Sequence, residues 1–152
     1  MGELTLQSFL SNYVLICAAT AWLVAQVLKF LITLVLTGKP ILERLTGSGG
    51  MPSSHTAMVC AAAIATARSQ GLDSAVFAIA LVLACIVMYD ATGVRRQAGE
   101  HAKQLNKLNR DNDNDNFEDE LLKEKLGHTP LEVMGGMLLG VIIAIIYSYF
   151  YR

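Results

Sequence analysis

The stretch Gly49-Gly50-Met51-Pro52-Ser53-Ser54-His55 puts two glycines, a proline, two hydroxyl residues and an imidazole in seven positions. The glycines let a loop approach a ligand closely, with backbone angles that other residues avoid. Pro52 ends the loop, and Ser53 or Ser54 can cap a helix whose first N–H groups lack an intrahelical acceptor. A helix start of this kind favours anions, phosphate among them, and His55 falls in its first turn. A second start follows at Gly127-His128-Thr129-Pro130-Leu131-Glu132. His128 and Glu132 are four apart and can share a helix face, so the carboxylate could accept from one imidazole nitrogen and leave the other free to attack phosphorus. Thr129–Glu132 also reads as a capping box with proline at the first helical position, and the two roles can coexist. These two turns are expected to meet around one phosphate.

Cations that could hold such a phosphate are few. Lys29 lies inside a long apolar stretch, about 12 Å from its end at about 1.5 Å per residue. An amine at that depth either faces a polar cavity or snorkels to the surface. Arg95 and Arg96 follow Asp90, which could orient one of them, and an arginine fork suits bidentate phosphate binding. Lys39, before Pro40, is a phosphate ligand or a loop charge. His101 sits in a polar run with no partner at a useful spacing and reads as solvent-exposed. The acidic run at 109–120 lacks the glycine and the paired Asp and Glu positions of an EF-hand, so it reads as a flexible loop. Cys17, Cys60 and Cys85 lie in apolar runs without metal-ligand spacing.

The elements that must position these groups are apolar. Of 152 residues, 53% are hydrophobic and only 16% charged, a balance that suits a small integral membrane protein. The net charge of −1 gives no footprint for nucleic acid. After a short lead at 1–11, residues 12–37 exceed the roughly 20 needed to span a bilayer core. They are too long for a signal peptide and should remain as an anchor. Residues 41–53 read as a loop with a helical turn at Ile41–Leu45. A short, alanine-rich second helix from Ser54 to about Ala67 suits tight packing. A turn at 68–74 leads to a third span over 75–89, and residues 131–150 form a fourth, ending in an aromatic belt with Tyr147, Tyr149, Phe150 and Tyr151. Gly136 and Gly140 form a GxxxG pattern, open to a homodimer face or, preferably, to close packing within the bundle.

Four spans put Lys39, Arg44, Arg95, Arg96, Lys103, Lys107, Arg110, Lys123 and Lys125 on one side, nine of the twelve Lys and Arg. The positive-inside rule makes that side cytoplasmic. Both histidine turns and the Asp90–Arg96 segment fall there too.

At these residues the chain resembles the type 2 phosphatidic acid phosphatases. Pro52-Ser53-Ser54-His55 is similar to their Pro-Ser-Gly-His signature. His128, Glu132, Val133 and Gly135 are similar to the end of another, and Lys29 with Lys39-Pro40 is a looser echo of the first. The blocks Gly49–Ala57, Tyr89–Gly99 and Leu126–Val133 resemble the divergent branch of that superfamily, and the likeness runs from about Lys29 to Gly140. It implies a metal-free phosphatase, without cofactor, working through a phosphohistidine. His128 would be the nucleophile, Glu132 its orienting acid and His55 the general acid. Lys29, Lys39, Arg95 or Arg96, and the N–H groups near Ser53 and Ser54 would hold the phosphate. The chain has Leu122 at the family's arginine position and Glu132 where aspartate is usual.

The expectation is therefore an all-α integral membrane helical bundle. It has about four transmembrane helices in one domain, with a flexible charged loop at about 98–126 between the third and fourth. The expected activity is hydrolysis of a lipid-linked phosphate or diphosphate at the cytoplasmic face of a bacterial plasma membrane. The alternative is a lipid-phosphate-binding membrane or scaffold protein without turnover. Small-solute transport is disfavoured by the lack of an inverted repeat.

Overall fold

The computed structural model describes residues 6–40, 49–111, 121–124 and 126–150. The turn expected at Ile41–Leu45, the acidic positions 112–120 and the terminal Tyr151 and Arg152 lie outside these residues. Helix α1 spans Leu6–Leu10, α2 Tyr13–Thr37, α3 Ser54–Gln70, α4 Ala75–Thr92, α5 Val94–Asp111 and α6 Pro130–Phe150. No strand occurs among the described residues.

Local chemistry sets these bounds. The Asn12 side chain accepts from the Leu15 N–H and caps α2, and the Gly38 N–H returns to the Leu34 carbonyl at its end. Ser53 and Ser74 cap α3 and α4 in the same way, through bonds from the Thr56 and Phe77 N–H groups. Helix α3 runs to Gln70, closed by Gly71, three residues beyond the end expected at Ala67. The alanine-rich segment resumes its ladder through Arg68 because no residue before Gly71 interrupts it.

The bundle packs on small residues four apart. Cys17, Ala21 and Ala25 of α2 meet Ala57, Ala61 and Ala65 of α3 and Ala144 of α6, all fully buried. Helix α3 is the hub, touching α2, α4 and α6. A methyl placed on Gly136 would fall 3.0 Å from Thr56 Cβ, and one on Gly140 3.0 Å from Cys60 Cβ. The GxxxG pair thus packs α6 against α3 inside the chain. Tyr147 tilts against Tyr13 at 6.0 Å between ring centres. It is half-buried in the bundle, while Tyr149 and Phe150 are exposed as expected of a belt.

Among the described residues three helical stretches are long and apolar enough to cross a membrane: Tyr13–Thr37, Ala75–Asn109 and Pro130–Phe150. Their outer faces carry exposed leucine, isoleucine and valine, such as Leu23, Ile79 and Ile142, as lipid-facing surfaces do. Helix α3, with 17 residues, is about 26 Å long and less apolar, because its alanines serve packing. Four spans were expected; by length and composition three qualify, gathered round this shorter helix.

The first part of the expected charged loop, residues 98–111, is helical. Val94–Asp111 form α5, and the described residues 121–124 and 126 run back along it as a strap. The buried Asn106 amide donates to the Leu122 carbonyl and to Glu124 Oε1, both at 2.9 Å, and its oxygen accepts from the Leu122 N–H at 3.0 Å. At Gly99 an added methyl would stand 2.9 Å from the Leu126 carbonyl oxygen, so a glycine is what lets the strap lie this close. Sequence reading took the segment as loop because its charges mask a face of Gly99, Ala102 and Asn106, spaced at helical intervals.

Candidate phosphate site

The two helix starts are joined through their backbones. Ser53 N–H donates to the Glu132 carbonyl at 3.0 Å, and His128 N–H donates to the Ala91 carbonyl at 2.9 Å. The starts of α3 and α6 and the end of α4 therefore meet at one end of the bundle. Ser53 is fully buried as the α3 cap, its hydroxyl accepting from the Thr56 hydroxyl at 3.0 Å. That cap commits both its side chain and its own N–H. The N–H groups of Ser54 and His55 belong to the first turn, where the helix itself offers no acceptor.

His128 is 5% exposed, and neither of its ring nitrogens has a hydrogen-bond partner among the described residues. Buried polar atoms are nearly always bonded, so an imidazole left like this marks a place for something to bind or react. The ring borders a cavity of about 270 Å³ with Gly49, Gly50, Arg96, Gly127 and Glu132 in its walls. Gly49 and Gly50 adopt φ of 90° and 88°, a left-handed backbone that fits glycine. His55 is exposed in the first turn of α3 and does not wall this cavity, but it is near enough for its charge to bear on His128.

The electrostatics come from four directions. Burial pushes the His128 imidazole below its ordinary 6.5, the Glu132 carboxylate pulls it back up, and Lys29, His55 and Arg95 push it further down. The ring is thus held neutral at pH 7 with its nitrogen lone pair available. Burial, then Arg95 and Lys29, push His55 below its ordinary 6.5 as well, so two cations from separate helices bear on both imidazoles. Arg95 Nε donates to Asp90 Oδ2, which fixes the guanidinium at the α4–α5 junction. Arg96 walls the cavity. Lys29 is 1% exposed and donates to Gln26 Oε1 at 2.8 Å, so its amine stays within the bundle.

Glu132 is engaged as a cap. Its Oε2 accepts from the Thr129 N–H at 2.8 Å, while its own N–H donates to Thr129 Oγ1 at 3.3 Å. The bond from His128 to Glu132 that the four-residue spacing allowed is not formed here. Lys39 is exposed at the end of α2, its carbonyl accepting from the Thr37 hydroxyl. His101 is exposed on α5. Among the described residues no three His, Cys, Asp or Glu side chains converge as a metal site. Gln26 was missed by sequence reasoning although a polar residue three before Lys29 in an apolar helix was the available signal. Asn106 and Gly127 gave none, because their partners are remote in sequence.

A family model described as "Divergent PAP2 family" matches residues 10–143. The uncharacterized membrane protein YuiD of Bacillus subtilis (strain 168) is 40% identical over 154 aligned residues, covering 93% of this chain and 98% of that protein. No solved structure matches.

Proposed function

The chain belongs to the divergent PAP2 family of integral membrane proteins, and we propose that it hydrolyses a phosphomonoester or diphosphate carried by a membrane lipid, through a phosphohistidine on His128. The observation that carries this reading is the buried, unbonded His128 ring beside a cavity walled by Arg96 and flanked by the charges of Lys29, Arg95 and His55.

A neutral ring nitrogen of His128 attacks phosphorus while the bond to the leaving oxygen breaks. His55, in its protonated form, gives that oxygen its proton and becomes neutral. Arg96, Arg95 and Lys29, with the N–H groups of Ser54 and His55, offset the charge that grows on the phosphoryl oxygens. Water then attacks the phosphohistidine, the P–N bond breaks, and the proton of water passes to His55, which returns to its starting state. Glu132 steadies the developing imidazolium by charge, and Lys39 guides anionic headgroups toward the opening. The excess of Lys and Arg on this side favours the cytoplasmic face of a bacterial plasma membrane. A lipid substrate is favoured because α2, α4 and α6 hold the site at the end of their apolar lengths.

The test is release of inorganic phosphate from lipid phosphates by purified protein. Loss of release in both His128→Ala and His55→Ala supports the assignment, and activity that survives either change removes that residue from its role. The bond from Thr129 to Glu132 favours a second reading, a binder of lipid phosphates without turnover, since the acid is spent on the cap. Binding of a lipid phosphate that Lys29→Ala abolishes, with no phosphate released by the wild type, would select it.

A further inference from the structure

Helix α5 has three faces, and one of them is apolar and uncovered. Gly99, Ala102 and Asn106 are buried beneath the strap. Arg96, Lys103 and Lys107 lie together on a second, cationic face. Val94, Ala98, Leu105 and Leu108 fall on a third, with the exposed His101 among them, roughly opposite the cations at about 100° per residue. Val94, Leu105 and Leu108 are 62%, 49% and 59% exposed. We infer that α5 lies along the surface of the protein's own bilayer, with Val94, Ala98, Leu105 and Leu108 set into the boundary between headgroups and acyl chains and Lys103 and Lys107 turned to water.

Continuity with α4 identifies the occupant. A single residue, Gly93, separates α5 from α4, whose outer residues Ile79, Val82, Ile86 and Tyr89 are exposed on a helix apolar enough to cross the membrane. The ladder is interrupted where that apolar length ends. The Ala91 carbonyl accepts from the His128 N–H, and Gly93 sits at φ −101° and ψ −91°, outside helical values. A strongly amphipathic helix with leucines on one side and lysines on the other, starting at a break at the membrane boundary, has the composition of an interfacial helix. A second copy of the chain is a poorer occupant. Four side chains in one narrow row fall far short of the roughly 20–30 residues a side in a stable protein interface. The inference stands apart from any turnover, but it has a consequence for the site. The strap that delivers His128 is bonded to α5, so a helix seated in the headgroup layer would hold that cavity at the depth of lipid phosphates.

Full-length protein in vesicles of phosphatidylcholine and phosphatidylglycerol tests this, using acyl chains brominated either near the carbonyl or at mid-chain. Trp22 is the single tryptophan, so Leu105→Trp and Lys103→Trp are each read in a Trp22→Phe background. The expected result is blue-shifted emission from Leu105→Trp, quenched more by the shallow bromines than by the deep ones, with water-like, unquenched emission from Lys103→Trp. Water-like emission from Leu105→Trp overturns the inference by placing the helix in solvent. Blue-shifted but unquenched emission overturns it by showing a protein cover. A nitroxide at Leu108→Cys in a Cys85→Ser background gives a second reading that keeps Trp22. Greater collision with oxygen than with a water-soluble nickel complex supports the interfacial seat, and the reverse order overturns it.

Discussion

Replacing Gly127 by alanine should separate the position of His128 from the integrity of the bundle. Gly127 has φ +80°, and a methyl added there would fall closest to the Arg96 backbone nitrogen and stand 2.7 Å from Arg96 Cα and 2.8 Å from the Arg95 carbonyl carbon. Ordinary contact begins near 3.4 Å, and backbone neighbours cannot rotate away as a side chain would. The strap must therefore withdraw from α5 by at least the 0.7 Å between 2.7 and 3.4 Å. A misplacement of about 1 Å can cost on the order of 10²-fold in turnover, so Gly127→Ala should lower kcat by about 10- to 100-fold. The left-handed backbone adds about 1–2 kcal/mol of strain and the overlap about 1–3 kcal/mol, part of it relieved when the strap lifts. Gly38→Ala is the matched control. It has φ +67° with nothing within 4 Å of an added methyl, so it should lose about 1–2 kcal/mol and keep kcat. The assay is phosphate release from a lipid phosphate in mixed micelles, with thermal melts of both variants. Wild-type kcat in Gly127→Ala, or an equal fall in both variants, would refute the idea that the strap sets the reacting nitrogen.

Three further outcomes follow from the same geometry. Because burial and nearby cations lower the His128 pKa below 6.5, kcat/KM should fall as pH drops through that lowered value; Glu132→Gln removes the charge that raises it, so the acid limb should move to lower pH, and a move to higher pH would contradict the assignment. Lys29→Met takes away the amine that donates to the buried Gln26 Oε1, so stability should fall by about 1–3 kcal/mol, while phosphate affinity should fall by about tenfold or more, as loss of a charged hydrogen bond worth about 1.5–3 kcal/mol implies; a melt and a binding isotherm on one sample decide it. Asn106→Ala should speed exchange of the Leu122 amide by roughly 10²-fold, from loss of three bonds of about 0.5–1.5 kcal/mol each, and lower turnover with little change in the melting of the spans.

Much of the bundle was readable because membrane-spanning segments are long and need few special residues. The apolar runs at 12–37, 75–89 and 131–150 stand out by length, and the alanines of α3 by their uniformity. The meeting of the two histidine turns was also readable, since each carries its own capping signal and the loop topology puts both on one side. The charged segment was not. Its helix is marked by Gly99, Ala102 and Asn106, and these read as structure only against the strap that carries Leu122, Glu124 and Leu126. The role of Glu132 was ambiguous in principle, because a carboxylate three residues after a threonine caps a helix with the same atoms that could orient an imidazole. Packing settled the geometry in favour of the cap, while charge still links Glu132 to His128.

The central claim is that His128 takes the phosphoryl group. Brief reaction of purified protein with a ³²P-labelled lipid phosphate, stopped in alkali and mapped by peptide, measures it most directly. The expected result is an alkali-stable, acid-labile label on the peptide that contains His128, absent from His128→Ala and longer-lived in His55→Ala. Phosphate release by the wild type with the label on another residue, or with no labelled protein at any time point, would contradict it.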